Sequence, residues 1–486
     1  MRNQFTAKGG RTLRWIAVGT LAMGTVGCAT APHNSTIDLN PPTPARQSQQ
    51  APDTPITRAS FQEPIGKLLG NTPANPALAT GAVEVDEFVQ LAVGRNPRIG
   101  KATFAIDAAQ GKYVQAGLYP NPVLAVTADE LGDRTGPGGV ITAPQVTQEI
   151  VTGGKLSLSQ AVAAKEVDQT TLTLLRERYG VIGSVRGAYY DLYALERRIS
   201  VLDELVKLAG DAVKNGQSLL ESKQIARLDL VQLEVELARF RSQAEASRQE
   251  LPSARKRLAA IVGDPRLAVG TPTGPFEELP LYDPDRTLET VLATHPEVRY
   301  ARVGVERAQA AIRRAEVEPI PNVTLSTGYV YQGQNKSNDW LLGVSLPIPT
   351  WNKNQGNIRT AKAELGVAYQ DVRRVENDLA ERVATALRAY SSSLKLAEQY
   401  RTDILPKAEE TYKLSLEAFK GGQFEYLRVI QAQRVVAEAR LEYNRALGEA
   451  WRGAAELSGL LLEESWPGIP PNIKLLILKQ SQPEAK

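Results

Sequence analysis

The chain contains one sequence pattern twice, at an offset of 199 residues, and this duplication limits what it can fold into. Residues 96–124 lie over residues 295–323 without a gap, and the prolines of the first copy fall on prolines of the second. Further on, residues 146–155 lie over residues 344–353 after a shift of one. A long helical pattern then follows in both copies. A repeated unit of this size predicts a pseudo-symmetric architecture, so function is expected in the whole assembly and less in one small pocket.

The first 28 residues predict an export signal. A basic head precedes a short apolar run over residues 15–27, and that run is too short to span a bilayer as a helix. Cys28, the only cysteine in the chain, follows Thr25-Val26-Gly27. This segment resembles a lipoprotein cleavage box, in which the cysteine is acylated. Thr25 stands where leucine is usual, so an ordinary secretory signal with an incidental thiol remains the alternative.

The segments outside the repeats, and the overall charge, exclude several classes of protein. Residues 29–80 are rich in Pro, Ser, Thr, Ala and Gln and predict a disordered tether; residues 464–486 are expected to form a C-terminal tail. The net charge is +3, and without basic blocks it gives no support to nucleic-acid binding. No apolar run reaches the 18 residues of a membrane-spanning helix.

Each repeat is predicted to contain a helix, two strands and two long helices. The first repeat spans residues 81–270 and opens with a helix over 84–115, for which Asp86 is the expected N-cap. Pro252 and Pro406 are expected to kink or locally break the long helices in which they lie. The second repeat spans residues 271–463. The predicted strands are about 121–130, 141–150, 321–332 and 338–348, and the predicted long helices are about 156–216, 225–262, 355–420 and 425–461.

The predicted strands alternate between apolar and small or polar residues. In the second copy, Leu325 and Tyr329 share one face, and Trp340, Leu342 and Val344 do the same in the partner strand. One interpretation is a soluble hairpin packed on helices. The other is a pair of transmembrane barrel strands, with lipid outside and water inside. Four strands cannot close a barrel alone, and open edges in lipid leave backbone groups unsatisfied, so this second interpretation requires oligomerisation.

The long helices carry apolar residues at steps of three and four, which is typical of a coiled-coil seam. A helix of about sixty residues would be roughly 90 Å long, more than a globular domain of this size needs. The second copy keeps the seam of the first with smaller side chains, so its helices are expected to approach closely. The seam of the second long helix is predicted at Leu230, Leu233, Leu237, Phe240, Ala244, Ser247, Leu251, Ala254, Leu258 and Ile261, and its counterpart at Val429, Ala432, Val436, Ala439, Tyr443, Ala446, Ala450, Gly453, Leu457 and Leu460.

Over residues 84–463 the chain resembles the TolC-type outer-membrane efflux proteins, most of all the branch associated with cation efflux. Four segments carry the resemblance, in order and across both copies. They are LYPNPVL (118–124), QEIVTGGK (148–155), GVSLPIPTWNKNQG (343–356) and ILPKAEETYKLSLEAFKGGQFEYLRVIQAQ (404–433).

The resemblance implies a mainly α fold with a small transmembrane β part. Three protomers would form a twelve-stranded β-barrel in the outer membrane, continued by a twelve-helix α-barrel tunnel in the periplasm. It also implies the partners of such a homotrimer: outer-membrane lipid, a periplasmic adaptor (membrane fusion) protein and an inner-membrane efflux pump. The chain itself would be a passive exit duct that conducts solute to the exterior.

The resemblance further assigns the turns between the long helices. Adaptor docking is implied for tips formed by Lys223, Gln224 and Ile225 in the first copy and by Gly421, Gly422 and Gln423 in the second. The tunnel entrance is implied at Glu425, Arg428 and Gln431. Alignment on Ala432-Gln433 does not reproduce the family's acidic ring, and Arg428 would favour an entrance of the opposite sign. The alternative is that Arg428 is only a solvated helix charge.

The sequence offers no material for catalysis or for a resident cofactor. The two histidines, His33 and His295, do not cluster with Cys28 or with each other, so no metal site is expected. Neither a catalytic constellation nor a phosphate-binding glycine loop is present. Two other classes of protein are alternatives: a soluble periplasmic coiled-coil structural or adaptor protein, and an envelope enzyme. The exported solute, the pump and the adaptor are not identified by the sequence.

Overall fold

The computed structural model describes residues 81–129, 131–132, 139–423, 425–464 and 466. The predicted signal, Cys28, the tether and the tail beyond residue 466 lie outside these residues. Within them, no helix combines the length and the apolar character that crossing a membrane requires.

The two copies have the same order of elements, and each copy ends in a hairpin of long helices. The helices are α1 (Val85–Arg95), α2 (Pro97–Ala116), α3 (Lys155–Glu221), α4 (Arg227–Val262), α5 (Pro284–Thr294), α6 (Pro296–Glu316), α7 (Gln355–Gln399), α8 (Leu405–Lys420) and α9 (Tyr426–Leu460). A π-helical turn, Tyr400–Ile404, joins α7 to α8. The strands are β1 (Ala82–Val83), β2 (Val123–Asp129), β3 (Val140–Ile150), β4 (Thr271–Pro272), β5 (Val323–Gln332) and β6 (Ser337–Ser345).

The single helix predicted over residues 84–115 is wrong, because the chain breaks at Asn96. Proline disfavours helical backbone in the residue before it, and Pro97 follows. The Asn96 side chain instead caps α2, accepting a hydrogen bond from the Arg98 backbone N–H at 2.9 Å. The predicted N-cap is also wrong: the N-cap residue of α1 is Glu84, and Asp86 lies in the first helical turn.

The two helix prolines behave differently. Ahead of Pro406 the helix predicted over residues 355–420 is interrupted by the π-helical turn, as expected for a proline that removes a backbone donor. By contrast, α4 continues through Pro252, so the local break expected there does not occur. Leu251 and Ala254 on either side pack against the main core, and this packing supports the helix where one hydrogen bond is missing.

The four longer strands form one antiparallel sheet in the order β2-β3-β5-β6. Leu325 lies opposite Val344 and Tyr329 lies opposite Trp340, so the apolar face predicted from the alternation is confirmed. The register shifts in the middle of β3, next to Pro144, and bulges of this kind are where sheets tolerate proline. The last strand ends at Ser345, three residues earlier than predicted.

Most residues of the two predicted helical seams are buried. In the second copy the small residues do bring helices close. A Cβ added to Gly453 would lie 3.1 Å from the Tyr390 Cα, and one added to Gly448 would lie 2.8 Å from the Ala194 Cβ. The helices therefore approach closely at these two crossings, as expected.

The main core brings the middle of α3 together with the C-terminal halves of α4, α7 and α9, so both copies contribute to it. Trp451 of α9 stacks on Tyr190 of α3 with ring centroids 3.9 Å apart. The Tyr189 hydroxyl lies 2.8 Å from the Val83 carbonyl oxygen and accepts a hydrogen bond from the Thr273 N–H at 2.9 Å. It thereby ties the parallel pair of β1 and β4, one strand from each half, to α3.

A buried arginine fixes the chain where it leaves α9. The Arg186 guanidinium donates hydrogen bonds to the Ser458 hydroxyl at 3.1 Å and to the carbonyl oxygens of Glu463 and Glu464 at 2.8 and 2.9 Å. It also lies 4.9 Å from the ring centre of Trp466, within reach of a cation–π contact. The residues after α9 are therefore held against α3.

Candidate functional site: the two interhelical turns

The first tip closes α3 with hydrogen bonds of the Schellman type. The Gln224 N–H bonds to the Leu219 carbonyl at 2.8 Å and the Lys223 N–H bonds to the Leu220 carbonyl at 3.0 Å. This motif needs a left-handed residue at the position of Lys223, whose φ is 56°. Glycine is usual there because a Cβ is disfavoured in that conformation.

The second tip has the same hydrogen bonds at the positions 199 residues further on. The Gln423 N–H bonds to the Ala418 carbonyl and the Gly422 N–H to the Phe419 carbonyl, both at 2.9 Å. Gly422 has the left-handed conformation, with φ 68°. Gly421 has φ −80°, and an added Cβ would make only ordinary contacts at 3.6 Å. Of the two glycines, only Gly422 is required by the backbone.

The two tips lie side by side and line one open cleft of about 1500 Å³. Four of the predicted docking residues line this cleft, namely Lys223, Gln224, Gly422 and Gln423. These four and Gly421 are all exposed. Ile225 is different, since its side chain is buried in the apolar cluster of the tip, together with Tyr426, whose ring lies 4.9 Å from that of Phe419. The structure therefore brings the predicted tip residues together but turns Ile225 inwards.

Sequence reasoning missed an exposed apolar residue at this cleft. Leu228, in the first turn of α4, lines the cleft and is 67% exposed. Leu230 and Leu233, by contrast, belong to the buried seam. The sequence does contain a signal for this exposure. Leu228 precedes the buried seam by two residues and so falls on another face of the helix.

The helix that follows each tip begins differently. In α4 the Asp229 carboxylate accepts a hydrogen bond from the Ala226 N–H at 3.0 Å, which satisfies one free donor and complements the helix dipole. The equivalent residue of α9 is Arg428, and the Glu425 side chain makes no capping bond. Glu425, Arg428 and Gln431 are all exposed, and their spacing of three places them along one face of α9.

Ion pairs join the two hairpins just beyond the tips. Arg434 of α9 lies 3.0 Å from Glu236 of α4, whose side chain is largely buried. Arg239 of α4 lies 3.8 Å from Glu438 of α9. The second hairpin is thus held against the first by charges near its end, and separating the hairpins would break these pairs.

The rest of the described chain offers no metal centre. In the described ranges, no group of three or more His, Cys, Asp or Glu side chains is placed to hold a metal ion. His295 is buried and works as a helix cap, because its Nδ1 accepts a hydrogen bond from the Glu297 N–H at 3.3 Å. Cys28, the predicted lipidation site, lies outside the described residues.

These features define a class of protein. A duplicated chain forms two long helical hairpins that end in adjacent tips, and both copies contribute to one sheet with an exposed apolar face. The family described as "Outer membrane efflux protein" matches residues 88–264 and 287–461. The chain belongs to this family.

Relatives and solved structures agree with this assignment. The chain is 25% identical to the cobalt-zinc-cadmium resistance protein CzcC of Cupriavidus metallidurans, over 80% of this chain and 92% of the relative. It is 23% identical to the pyoverdine export outer membrane protein OpmQ of Pseudomonas aeruginosa, over 74% of this chain and 81% of the relative.

Among solved structures, the outer membrane protein VceC of Vibrio cholerae has a TM-score of 0.65 at 17% identity and covers 78% of this chain and 95% of its own. CusC, described in connection with transmembrane channel formation, has a TM-score of 0.67 at 17% identity and covers 83% and 98%. The fold is therefore that of the outer-membrane efflux channels, mainly helical with one small β-sheet. A soluble coiled-coil or adaptor protein is not supported.

Proposed function

We propose that this protein is the exit duct of a tripartite export system: a homotrimer whose three sheets close one twelve-stranded barrel in the outer membrane. The observation that carries the proposal is the sheet, which has one apolar exposed face and two edges. Trp340 and Leu342 on the apolar face are 79% and 80% exposed. Apolar side chains of this size are costly to leave in water and favourable in lipid.

Closure follows from the edges. Within the described sheet, β2 and β6 each have a neighbour on one side only. In lipid the free N–H and C=O groups of such edges would cost several kcal/mol each. Pairing β6 of one protomer with β2 of the next satisfies them, and three copies of four strands make the ring. The three pairs of hairpins would then continue the barrel as a tunnel of twelve helices in the periplasm.

The duct itself is passive in this proposal. A periplasmic adaptor would dock at the cleft between the tips, and an inner-membrane pump would supply the energy. The tunnel would open when the second hairpin moves relative to the first, biased by adaptor contacts. If Cys28 is acylated, its lipid would anchor the N-terminus in the outer membrane. The relatives include a metal-cation resistance protein and a pyoverdine exporter, so family membership leaves the solute open.

Closure can be tested with cysteine pairs in a Cys28→Ser background, because the chain has no other cysteine. Leu124→Cys on β2 would be combined in turn with Leu342→Cys and Val344→Cys on β6. Within one protomer β2 and β6 are three strand spacings apart, roughly 14 Å, which is beyond the reach of a disulfide. A disulfide can therefore form only between protomers.

The expected result is covalent dimers and trimers on a non-reducing gel, and a detergent-corrected mass of three chains by light scattering. The single variant Leu124→Cys is the control and should remain monomeric on the gel. A detergent-independent monomer or dimer would contradict the closed barrel.

Docking at the tips can be tested separately from assembly. Replacing Gly421 and Gly422 together by valine should impair adaptor binding and export while trimers still form. Gly421→Ala is the matched control, because its backbone accepts a Cβ, and it should export normally. Unchanged export by the double variant would contradict the docking assignment.

A further inference from the structure

Every charged residue in the four long strands is a carboxylate. They are Asp129 at the end of β2, Glu149 near the end of β3 and Asp339 in β6, and these described strands contain no lysine or arginine. The chain as a whole has 57 basic and 54 acidic residues. The acidic character of the strands is therefore a local feature and does not reflect overall composition.

The strand register places the three carboxylates on one face of the sheet. Glu149 lies opposite Thr324 and Asp339 lies opposite Val330. Asp129 and Gln332 both lie opposite Val140. Following this register across the bulge of β3, and counting in steps of two along β2, β5 and β6, the three positions share a face with mostly small and polar residues. That face also carries Ala125, Thr127, Thr142, Gln145, Thr147, Ser326, Gly328, Gly343 and Ser345, together with the apolar residues Val123, Val140, Val330 and Leu341.

The opposite face carries no charge in the described strands. Its members include the large apolar side chains that lie opposite each other, such as Leu325 with Val344 and Tyr329 with Trp340. A sheet inserted in a membrane must turn this face to the lipid, because burying a carboxylate in hydrocarbon costs several kcal/mol. The three carboxylates then face the water-filled interior.

Glu149 is held in place at the end of the sheet nearest the helices. Its Oε1 accepts a hydrogen bond from the Asn322 side-chain nitrogen at 2.7 Å. The Asn322 Oδ1 in turn accepts hydrogen bonds from the Lys155 Nζ at 3.1 Å and from the Thr152 N–H at 3.3 Å. Lys155 is only 6% exposed. The Asn322 amide thus lies between the Lys155 ammonium group and the Glu149 carboxylate. The Glu149 carboxylate lies on the small and polar face.

Asp129 and Asp339 lie at the other end of the same face. The Asp339 Oδ2 accepts a hydrogen bond from the Ser337 hydroxyl at 3.3 Å. Acidic groups therefore occur at both ends of the face, and the residues between them are uncharged and mostly small or polar.

We propose that this face makes the interior of the barrel selective for cationic solutes, with Asp129, Glu149 and Asp339 as the residues that determine the selectivity. The proposal rests on the proposed function, since only a closed trimer encloses the face. Each protomer would contribute three carboxylates to the lumen, one at the tunnel end and two at the outer end. Rings of Asp and Glu side chains raise the local concentration of cations and repel anions.

The test is the reversal potential of the purified trimer in a planar bilayer under a KCl gradient. The wild-type protein is compared with the triple variant Asp129→Asn/Glu149→Gln/Asp339→Asn, whose side chains keep their size and can still accept hydrogen bonds. Asp285→Asn in α5, an exposed carboxylate outside the sheet, is the matched control. The charges of the tunnel entrance are the same in all three proteins, so the difference between them isolates the barrel.

We expect the ratio of K⁺ to Cl⁻ permeability to fall in the triple variant by roughly twofold or more, and to stay at the wild-type value in Asp285→Asn. The difference should shrink when the salt is raised from about 0.1 M to about 1 M, because the Debye length falls from about 10 Å to about 3 Å. An unchanged ratio in a conducting triple-variant trimer overturns the selectivity proposal and leaves the duct intact. Absence of conductance both in the wild-type trimer and in the Arg434→Ala variant, which lacks an ion pair that holds the second hairpin against the first, overturns the duct itself and the selectivity with it.

Discussion

Replacing His295 by asparagine should remove part of the protein's sensitivity to acid. Burial lowers the pKa of His295 to about 4, an effect opposed by Glu297 and strengthened by Arg382 and Arg176. The neutral ring is also the form that caps α6, because its Nδ1 accepts the Glu297 N–H. Protonation would turn this acceptor into a donor and abolish the cap.

The sign and size follow from proton linkage. In the folded state the pKa of His295 lies below its unfolded value of about 6.5. The neutral ring therefore makes its full contribution to the free energy of unfolding above that pH. As the pH falls from about 6.5 to about 4, His295 binds a proton in the unfolded chain but stays neutral in the folded chain. The free energy of unfolding should therefore fall by on the order of 3 kcal/mol, at about 1.36 kcal/mol per pH unit.

Asparagine is a suitable replacement because the first copy of the repeat has asparagine at the equivalent position. Asn96 is the residue equivalent to His295 and caps α2 through its side chain. His295→Asn should keep the cap and lose the titration. The free energy of unfolding would be measured by guanidinium titration of the detergent-solubilised protein, followed by circular dichroism, at pH 7 and at pH 4.5.

We expect the drop between these two pH values to be smaller in His295→Asn than in the wild type by about 2 to 3 kcal/mol. His33→Asn, which changes the only other histidine, should behave as the wild type. Equal pH dependence of His295→Asn and wild type would refute the reasoning, because it would mean that His295 titrates alike in the folded and unfolded chains.

Three further changes probe the tip, the core and the contact between hairpins. Lys223→Gly should stabilise the first tip by up to about 1 kcal/mol, since it places glycine in the left-handed position that Gly422 fills in the second, and slower amide hydrogen exchange at the end of α3 would show it. Arg186→Met should destabilise the protein by about 3 kcal/mol, because the hydrogen bonds to the segment after α9 are lost; an unchanged thermal midpoint would contradict it. Arg434→Ala should leave Glu236 partly buried without this partner and raise the conductance of the isolated trimer, whereas an unchanged conductance would show that this pair does not restrain the hairpins.

The duplication made most of the fold predictable, because each element seen in one copy could be checked in the other. The helical seams and the two faces of the sheet follow from periodicity alone, which reports burial. The break at Asn96 was missed because apolar spacing continues across it, although Pro97 was a local signal. The left-handed Lys223 could not be predicted from its residue type, since lysine is a good helix former.

The candidate site was only partly predictable, for a physical reason. Sequence similarity located both tips, but whether a tip side chain is exposed depends on the phase of the helix that follows. Ile225 was therefore expected at the surface and is buried, while Leu228 was overlooked and is exposed. The acidic face of the sheet required the register of β3 with β5, because the bulge beside Pro144 makes the face of Glu149 uncertain from alternation alone.

The places where the two copies differ indicate which hairpin is able to move. The first hairpin has an uninterrupted α3 and an Asp229 cap at the start of α4. The second is divided by the π-helical turn at Tyr400–Ile404 and begins α9 without a side-chain cap. Near the tips it is attached to the first hairpin by the apolar cluster that contains Ile225 and Tyr426 and by ion pairs with exposed partners, which are weak. Fewer fixed contacts mean a lower free-energy cost of local opening. Amide hydrogen exchange should therefore be faster in α8 and α9 next to the second tip than in α3 and α4 next to the first tip. Equal protection of the two tips would contradict an opening movement that begins in the second hairpin.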